Sequence, residues 1–262
     1  MLMKSPFLRM YPLVFGVLCS ITFSFSAFSQ RAAADSAIGA TWLGVHYGAN
    51  LSGGDLAERY GFLNHVGIVA GRKTNKNYVF GLDAAFIFGN SLKLTGILDH
   101  LKDSKGNITD VNGDIAIYQL LPRGMYANGT AGKIFPVFGS NPNSGIYANI
   151  GVGFLAHKIR VETQDHVVPQ IELDYRKGYD RLTTGINTSQ FLGYSFMADQ
   201  GIVNFYAGFY FQQGFTKNRR TINFDSPETP VSQATRLDLQ YGIKACWLIP
   251  IYKRRPKDFY YN

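Results

Sequence analysis

Histidine is the side chain most often used for proton transfer near neutral pH, and this chain contains five histidines. Three of them, His100, His157 and His166, fall in connections or at a strand end, where a substrate could reach them. A catalytic hydroxyl needs such a base within hydrogen-bond distance, yet no histidine is followed two residues later by serine. The spacing therefore does not favour an enzyme, which is kept as an alternative.

Carboxylate and amide side chains are concentrated between Asp103 and Asp114, where Asn107, Asp110 and Asn112 also stand. Oxygen ligands of this kind bind calcium, but an EF-hand loop needs acids at fixed spacing and a final glutamate, which this segment lacks. The histidines also lack the spacing of zinc ligands. We predict a solvated loop here, and no metal or other cofactor.

Two segments near the C-terminus alternate apolar and polar side chains over their whole length. In 201–215 and in 236–249, successive residues would point to opposite faces of a strand. The apolar face of the second segment comprises Leu237, Leu239, Tyr241, Ile243, Ala245, Trp247 and Ile249. Asp238 and Lys244 lie on its other face, which excludes a strand that is buried in apolar surroundings on both sides.

Six further segments have a similar alternation, which brings the predicted number of strands to eight. They are 39–50, 61–73, 78–90, 114–126, 145–161 and 182–196. Pro122 cannot donate a hydrogen bond to a neighbouring strand, so we predict a bulge or bend there. Segment 128–143 contains several glycines and prolines and is interpreted as a loop, although a hidden extra pair of strands, giving ten, is an alternative.

The N-terminus has the features of a secretory signal peptide, which we place at 1–29. Lys4 and Arg9 precede an apolar stretch, and small residues stand before Gln30, where cleavage is expected. An uncleaved anchor is the alternative; a lipoprotein is disfavoured because Leu18, not a small residue, precedes Cys19. Residues 30–38 would then form a leader, and Cys246, the only cysteine of the mature chain, is expected to fill space inside the sheet.

These observations together predict an all-β protein. The fold class is an eight-stranded antiparallel up-and-down transmembrane β-barrel over 39–250, with long extracellular loops, short periplasmic turns and a tail at 251–262. Connections after strands three, five and seven are long and polar, and those after strands two and six are tight, as in outer-membrane barrels. A soluble lipocalin-like barrel or a β-sandwich is the alternative, and it would require the apolar faces to lie inside.

The signal peptide, the eight alternating strands and the loop asymmetry resemble the small OmpA/OmpX-type outer-membrane barrels. The Gly- and Tyr-rich strands, with Ala245-Cys246-Trp247-Leu248-Ile249-Pro250 at the end of the last one, are most similar to barrels of Bacteroidota such as the PorG-like barrel associated with type IX secretion. The chain departs from full OmpA proteins because only a short tail follows Pro250. It also ends in Asn262 rather than in an aromatic residue.

In a barrel of this size the interior is just wide enough to be filled by side chains. We predict a charge-balanced set of inward polar residues that fills the lumen, the lumen plug: His46, His65, Asp83, Gln119, Arg123, Asp238 and Lys244. A conducting pore is the alternative. The tail cations Lys253, Arg254, Arg255 and Lys257 are possible periplasmic contacts.

The formal net charge is +8, but the cations are scattered and no nucleic-acid-binding motif is present, so we predict no nucleic-acid partner. The expected partners are outer-membrane lipid or lipopolysaccharide and a protein of an envelope complex. The expected function is that of a non-enzymatic structural or interaction component, and an accessory role in secretion or envelope assembly is the finer form of this expectation. The alternatives are an enzyme acting on lipid A or phospholipid, and a small-solute channel.

Overall fold

The computed structural model describes residues 37–138, 141–164, 166–198 and 203–251. The described residues belong to one compact unit, Asp35–Asn262. The predicted signal peptide, nearly all of the leader, and the basic tail with Lys253, Arg254, Arg255 and Lys257 lie outside the described residues. No helix in the described part of the chain is long and apolar enough to cross a membrane.

Eight antiparallel strands form a closed barrel in which each strand pairs with its neighbours in sequence and β1 pairs with β8. The strands are β1 (Ala40–Gly54), β2 (Phe62–Lys73), β3 (Tyr78–Phe88), β4 (Tyr118–Phe135), β5 (Gly145–Thr163), β6 (Thr183–Met197), β7 (Asn204–Asn218) and β8 (Arg236–Ile251). Closure leaves the sheet without a free edge. The predicted eight-stranded antiparallel up-and-down barrel is confirmed, and the ten-stranded alternative is wrong.

Apolar side chains of the strands point outward, as the period of two requires. On β5, Ile150, Val152 and Phe154 are exposed, and farther along the same face Lys158 and Arg160 follow. On β8, Ile243 is 61% exposed while its neighbour Lys244 is 3% exposed. The barrel therefore has an apolar outer belt and a buried polar interior, the opposite of what the soluble alternatives require.

Strand β4 differs most from its predicted bounds, because the structure places it at Tyr118–Phe135 instead of 114–126. Glycines within 128–143 had indicated a loop, but Gly132 lies inside the sheet, where an added Cβ would come 2.4 Å from the carbonyl oxygen of Ala148. The pairing with β5 is continuous from Tyr118 to Phe135, without a bulge. Pro122 is tolerated because it lies one residue beyond the end of the pairing with β3, at Arg123.

The connections differ between the two ends of the barrel. At the short-turn end they are 74–77, 136–144 and 198–203, of which 139–140 and 199–202 are not described. At the long-loop end, segments 55–61, 89–117, 164–182 (of which 165 is not described) and 219–235 form a loop cap. Its described residues include four short 3-10 helices: Asp55–Glu58, Asp99–Leu101, Pro169–Ile171 and Leu173–Gly178.

The loop cap has a hydrophobic core of its own, although its composition had indicated polar loops. Ile97, Leu98, Ile108, Val168 and Ile171 are buried in it, together with side chains from the strand ends beneath. Burying side chains of this size stabilises a structure by about 1.5–3 kcal/mol each. The cap is therefore a packed extension of the barrel.

Candidate functional site: the barrel interior and the loop cap

The middle of the interior contains a buried charge cluster from three strands. Lys244 on β8 donates to the Asp83 carboxylate on β3, and the Nε2 of His46 on β1 lies 2.9 Å from Asp83 Oδ1. The three side chains are between 3% and 6% exposed. A buried ammonium persists only where an anion and hydrogen bonds compensate for its lost hydration, and Asp83 supplies both.

Aromatic rings and amides surround this cluster. Lys244 Nζ lies 4.9 Å from the ring centre of Tyr210 and also donates to the Tyr126 hydroxyl at 3.3 Å. Contacts of a cation with aromatic faces add to its stabilisation. The Nε2 of His65 lies 2.7 Å from Gln240 Oε1. Sequence reasoning missed the role of the tyrosines, although each occupies an inward position of its strand.

Two apolar layers lie on either side of the charge cluster. One, toward the short-turn end, contains Trp42, Ile134, Tyr147, Phe191, Tyr206, Cys246 and Leu248. The other contains Leu63, Ile87, Leu155 and Ile159 and continues into the loop cap. The structure thus places Cys246 in a buried packing position, and apolar layers lie on both sides of the central charge cluster.

Lys73 lies at the short-turn end of the interior and is fully buried. Its Nζ donates to Asn77 Oδ1 at 2.7 Å and to Asn143 Oδ1 at 2.9 Å. Asn77 donates in turn to the carbonyl oxygen of Pro142. Lys73 thereby ties the β2–β3 and β4–β5 turns together beneath the barrel.

A second polar group lies nearer the loop cap and includes the candidate base His157. Its Nε2 is 2.9 Å from Asp238 Oδ2, and its Nδ1 is 3.4 Å from the hydroxyl of Tyr60. Thr216 also donates to Asp238. Tyr60, His157 and Asp238 are between 0% and 4% exposed, so this arrangement resembles part of a catalytic relay whose side chains are closed off from solvent.

The structure places the predicted plug residues in two different environments. His46, His65, Asp83, Asp238 and Lys244 are buried inside the barrel. Gln119 and Arg123 are a correction, because they lie on the outer face: Gln119 is exposed and Arg123 pairs in register with Phe88, whose ring stacks on outward Phe86. Polar residues are tolerated there because this end of β4 extends beyond the apolar belt, beside Lys158 and Glu162 of β5.

The acidic segment Asp103–Asp114 uses its carboxylates to cap turns. Asp103 Oδ1 accepts from the backbone N–H groups of Lys105 and Asn107, and Asp110 Oδ1 accepts from those of Asn112 and Asp114. These are the local bonds by which aspartate stabilises turns. Among the described residues, no group of three His, Cys, Asp or Glu side chains could hold a metal ion.

The other two candidate histidines connect parts of the loop cap. His166 Nδ1 lies 3.0 Å from Asp110 Oδ2, and His100 Nε2 lies 2.9 Å from the hydroxyl of Tyr179, which stacks on its ring. Each contact joins the 89–117 connection to the 164–182 connection. The partners of both histidines are a tyrosine hydroxyl and a carboxylate of the neighbouring connection, so their geometry favours a structural role.

The Asp110–His166 contact leads to a prediction about pH. The hydrogen bond from His166 holds the pKa of Asp110 below its ordinary value, so the contact stabilises the cap above the ordinary carboxyl pKa of about 3.9 and is lost as pH falls through the lowered value. In a carboxyl-selective NMR titration, Asp110 is expected to titrate below about 3.9, and His166→Ala should move its midpoint upward. An unchanged midpoint in His166→Ala would contradict this assignment.

The outer surface of the loop cap carries an exposed apolar patch, here called the cap patch: Val111, Ile115, Ile117 and Val167, which are between 49% and 60% exposed. Backbone hydrogen bonds from Val111 to Val167 and from Gln164 to Ile117 hold the two connections side by side. Contiguous apolar groups on an ordered surface mark interaction sites. No sequence motif indicated this patch, because its residues come from two separate connections.

Comparisons with known proteins give no sequence relative. No family model matches the chain, and no curated protein matches it. Two solved structures of Ail, the attachment invasion locus protein of Yersinia pestis, are similar in fold. One, in complex with the heparin analogue sucrose octasulfate, has a TM-score of 0.37 and 10% identity over 81% of this chain and 99% of that chain. The other has a TM-score of 0.38 and 8% identity over the same shares.

Proposed function

We propose that this chain is an integral outer-membrane barrel that works as a non-enzymatic interaction component and binds a partner protein through its loop cap. The cap patch carries the proposal, because Val111, Ile115, Ile117 and Val167 expose apolar surface beyond the polar residues that end the outer belt. Isolated exposed apolar side chains need no explanation. Four exposed apolar side chains on two connections that are joined by hydrogen bonds are the arrangement expected of a protein-binding surface.

The membrane location is supported by the outer belt. Large apolar side chains on different strands of the barrel, such as Leu82, Phe209 and Ile243, are exposed. Their exposure is unfavourable in water and favourable in hydrocarbon. A closed barrel also satisfies its backbone hydrogen bonds within lipid. The predicted signal peptide at 1–29 supports export, and in this orientation the loop cap would be extracellular and the short turns periplasmic.

An accessory role in secretion or envelope assembly is the finer form of the proposal. It draws on the resemblance of the strands to PorG-like barrels of Bacteroidota and on the cap patch, whose exposed apolar side chains suit a protein partner. The basic tail residues Lys253, Arg254, Arg255 and Lys257 would offer a second contact on the periplasmic side. Lipid or lipopolysaccharide would surround the belt.

One observation favours an enzyme as the second candidate, namely the 2.9 Å contact between His157 and Asp238. A general base must reach the substrate, but both side chains are buried beneath the cap. The interaction proposal therefore accounts for more of the structure. A small-solute channel would need an open path that the two apolar layers and the charge cluster occupy.

Affinity purification from the native outer membrane in mild detergent tests the proposal. Ile115→Glu with Val167→Glu is expected to reduce recovery of the partner at least tenfold, because charges would be placed in a desolvated contact. Ile222→Glu is the matched control, since Ile222 is exposed on a different connection of the cap. If the wild-type protein recovers no partner, the component proposal is wrong; if the double variant recovers it fully, the cap patch is not the contact.

A further inference from the structure

The loop cap contains a cavity of about 210 Å³ near the mouth of the barrel. Arg59 comes from the β1–β2 connection, Arg181 from the end of the β5–β6 connection, Arg220 from the β7–β8 connection, and Arg236 from the first position of β8. All four line this space, here called the arginine cavity. The other lining residues are neutral, so no carboxylate is among the described residues that line it.

The charges of these arginines are unequally compensated. Arg220 forms a two-point contact with Asp180, and Arg181 Nη2 lies 2.6 Å from Asp225 Oδ2. Arg236 lies 3.7 Å from each of Glu58 and Asp238, and its Nη2 donates to the carbonyl oxygen of Asp55 at 2.6 Å. These carboxylates do not line the cavity. They contact the arginines from outside it, so the lining itself is positively charged.

Arg59 is the least compensated of the four. It is 8% exposed, and its guanidinium donates to three neutral oxygens, those of the Arg181 carbonyl, the Thr183 hydroxyl and the Asn218 amide. Burial, together with the nearby charge of Arg236, lowers the pKa of Arg59. An anion in the cavity would relieve the cost of confining this charge.

Two further donors are unused. The Nε groups of Arg181 and Arg236 are buried and have no hydrogen-bond acceptor among the described residues. Guanidinium groups offer several N–H donors in a planar arrangement that suits oxyanions. A buried donor without an acceptor is rare in proteins. Arg236 Nε lies 3.7 Å from Asp238 Oδ1, which also lacks a hydrogen-bond partner in the described part of the chain, so it faces that carboxylate. The Nε of Arg181 is then the donor available to an added acceptor.

We propose that the arginine cavity binds the phosphate or sulfate monoester group of a small anionic ligand. With a volume of about 210 Å³, the cavity is smaller than the roughly 300–1,000 Å³ of most ligand pockets, which suits a single oxyanion group, and its charged lining is unfavourable for an apolar ligand. Two sources share this chemistry: a soluble sugar ester, or the phosphorylated headgroup of a membrane lipid. This binding site is separate from the cap patch and does not depend on the protein-partner proposal.

The test is titration calorimetry of the full barrel in detergent, with glucose 6-phosphate and glucose 6-sulfate as soluble probes and glucose as the neutral control. Phospholipid vesicles with and without a phosphomonoester headgroup lipid (phosphatidic acid) are the second arm, with the barrel inserted in nanodiscs. Binding of the soluble esters supports a soluble source, and binding of the phosphatidic acid vesicles alone supports a lipid source. The proposal is overturned if neither arm shows binding beyond that of its control.

Variants separate a direct role of the arginines from a structural one. Arg181→Gln should weaken binding about tenfold, as expected for loss of a charged hydrogen bond. Asp225→Asn breaks the same ion pair but frees the Arg181 guanidinium, so it should bind as tightly as wild type or more tightly. Weakening to the same extent in both variants would show that only the loop structure matters and would contradict the proposal.

Arg219→Gln is the matched control, because Arg219 is an exposed cation next to Arg220 that does not line the cavity. It should leave the affinity unchanged. A loss equal to that of Arg181→Gln would show general attraction to positive charge and would also contradict a defined site. Folding of each variant is checked by gel electrophoresis, in which a folded β-barrel migrates differently in unheated and heated samples.

Discussion

Asp83→Ala is expected to lower the free energy of unfolding by about 3–5 kcal/mol, because it leaves the Lys244 ammonium buried without its anion. Lys244 donates to Asp83 and is 3% exposed, so its ammonium group stays away from bulk solvent when the carboxylate is removed. Equilibrium unfolding in urea, with the barrel inserted in lipid vesicles, measures the change. The effect would be large relative to those of most single substitutions.

Two further variants show whether the charge or the packing is responsible. Asp83→Leu combined with Lys244→Met removes both charges and should recover most of the loss, since a buried ion pair can be replaced by apolar residues at little cost. Asp174→Ala breaks an exposed pair with Lys177 and should change stability little. If the double variant is as unstable as Asp83→Ala, the loss comes from packing and the charge argument fails.

Ile243→Arg is expected to lower the free energy of unfolding in a bilayer by about 2–4 kcal/mol, the cost of arginine near the midplane of a transmembrane barrel. Ile243 is 61% exposed near the middle of the outward face of β8. In an aqueous setting the same substitution at an exposed position would be nearly neutral. Unfolding in lipid vesicles of defined thickness therefore tests the proposed membrane location directly.

A substitution at a residue nearer the membrane surface provides the control for this experiment. Ile251 ends β8 and is 54% exposed, so Ile251→Arg should cost only about 0–1 kcal/mol, as expected near the membrane interface. Ile222→Arg, on an exposed part of the loop cap, should also have little effect. If the arginine substitutions at Ile243 and Ile251 lowered the free energy of unfolding equally, an outer belt with a hydrocarbon centre and polar borders would be contradicted.

Local periodicity was sufficient to predict most of the barrel. Alternation in 201–215 and 236–249 correctly separated Ile243 from Lys244, because a strand repeats every two residues regardless of its neighbours. Periodicity gave the wrong bounds for β4, because Gly129 and Gly132 were interpreted as loop residues. Glycine also occurs where strands approach too closely for a Cβ, and sequence alone does not distinguish the two uses.

Gln119 and Arg123 illustrate a second limit. They were predicted to face the lumen because polar residues were assumed to avoid the outer face. That assumption holds only within the apolar belt, and β4 extends past it beside Lys158 and Glu162. How far a strand extends beyond its neighbours depends on the stagger of the whole barrel, which no single strand reveals.

The sequence by itself determined that the chain forms alternating strands and which residues of most strands point inward, whereas the choice of eight strands over ten needed the structure. Alternation and inward orientation follow from side-chain order within one segment. Only the tertiary structure decided which inward residues meet, because Asp83 and Lys244, His157 and Asp238, and the four arginines of the cavity are brought together from distant segments. Barrel closure and packing of the loop cap create those contacts, and with them the candidate binding surfaces.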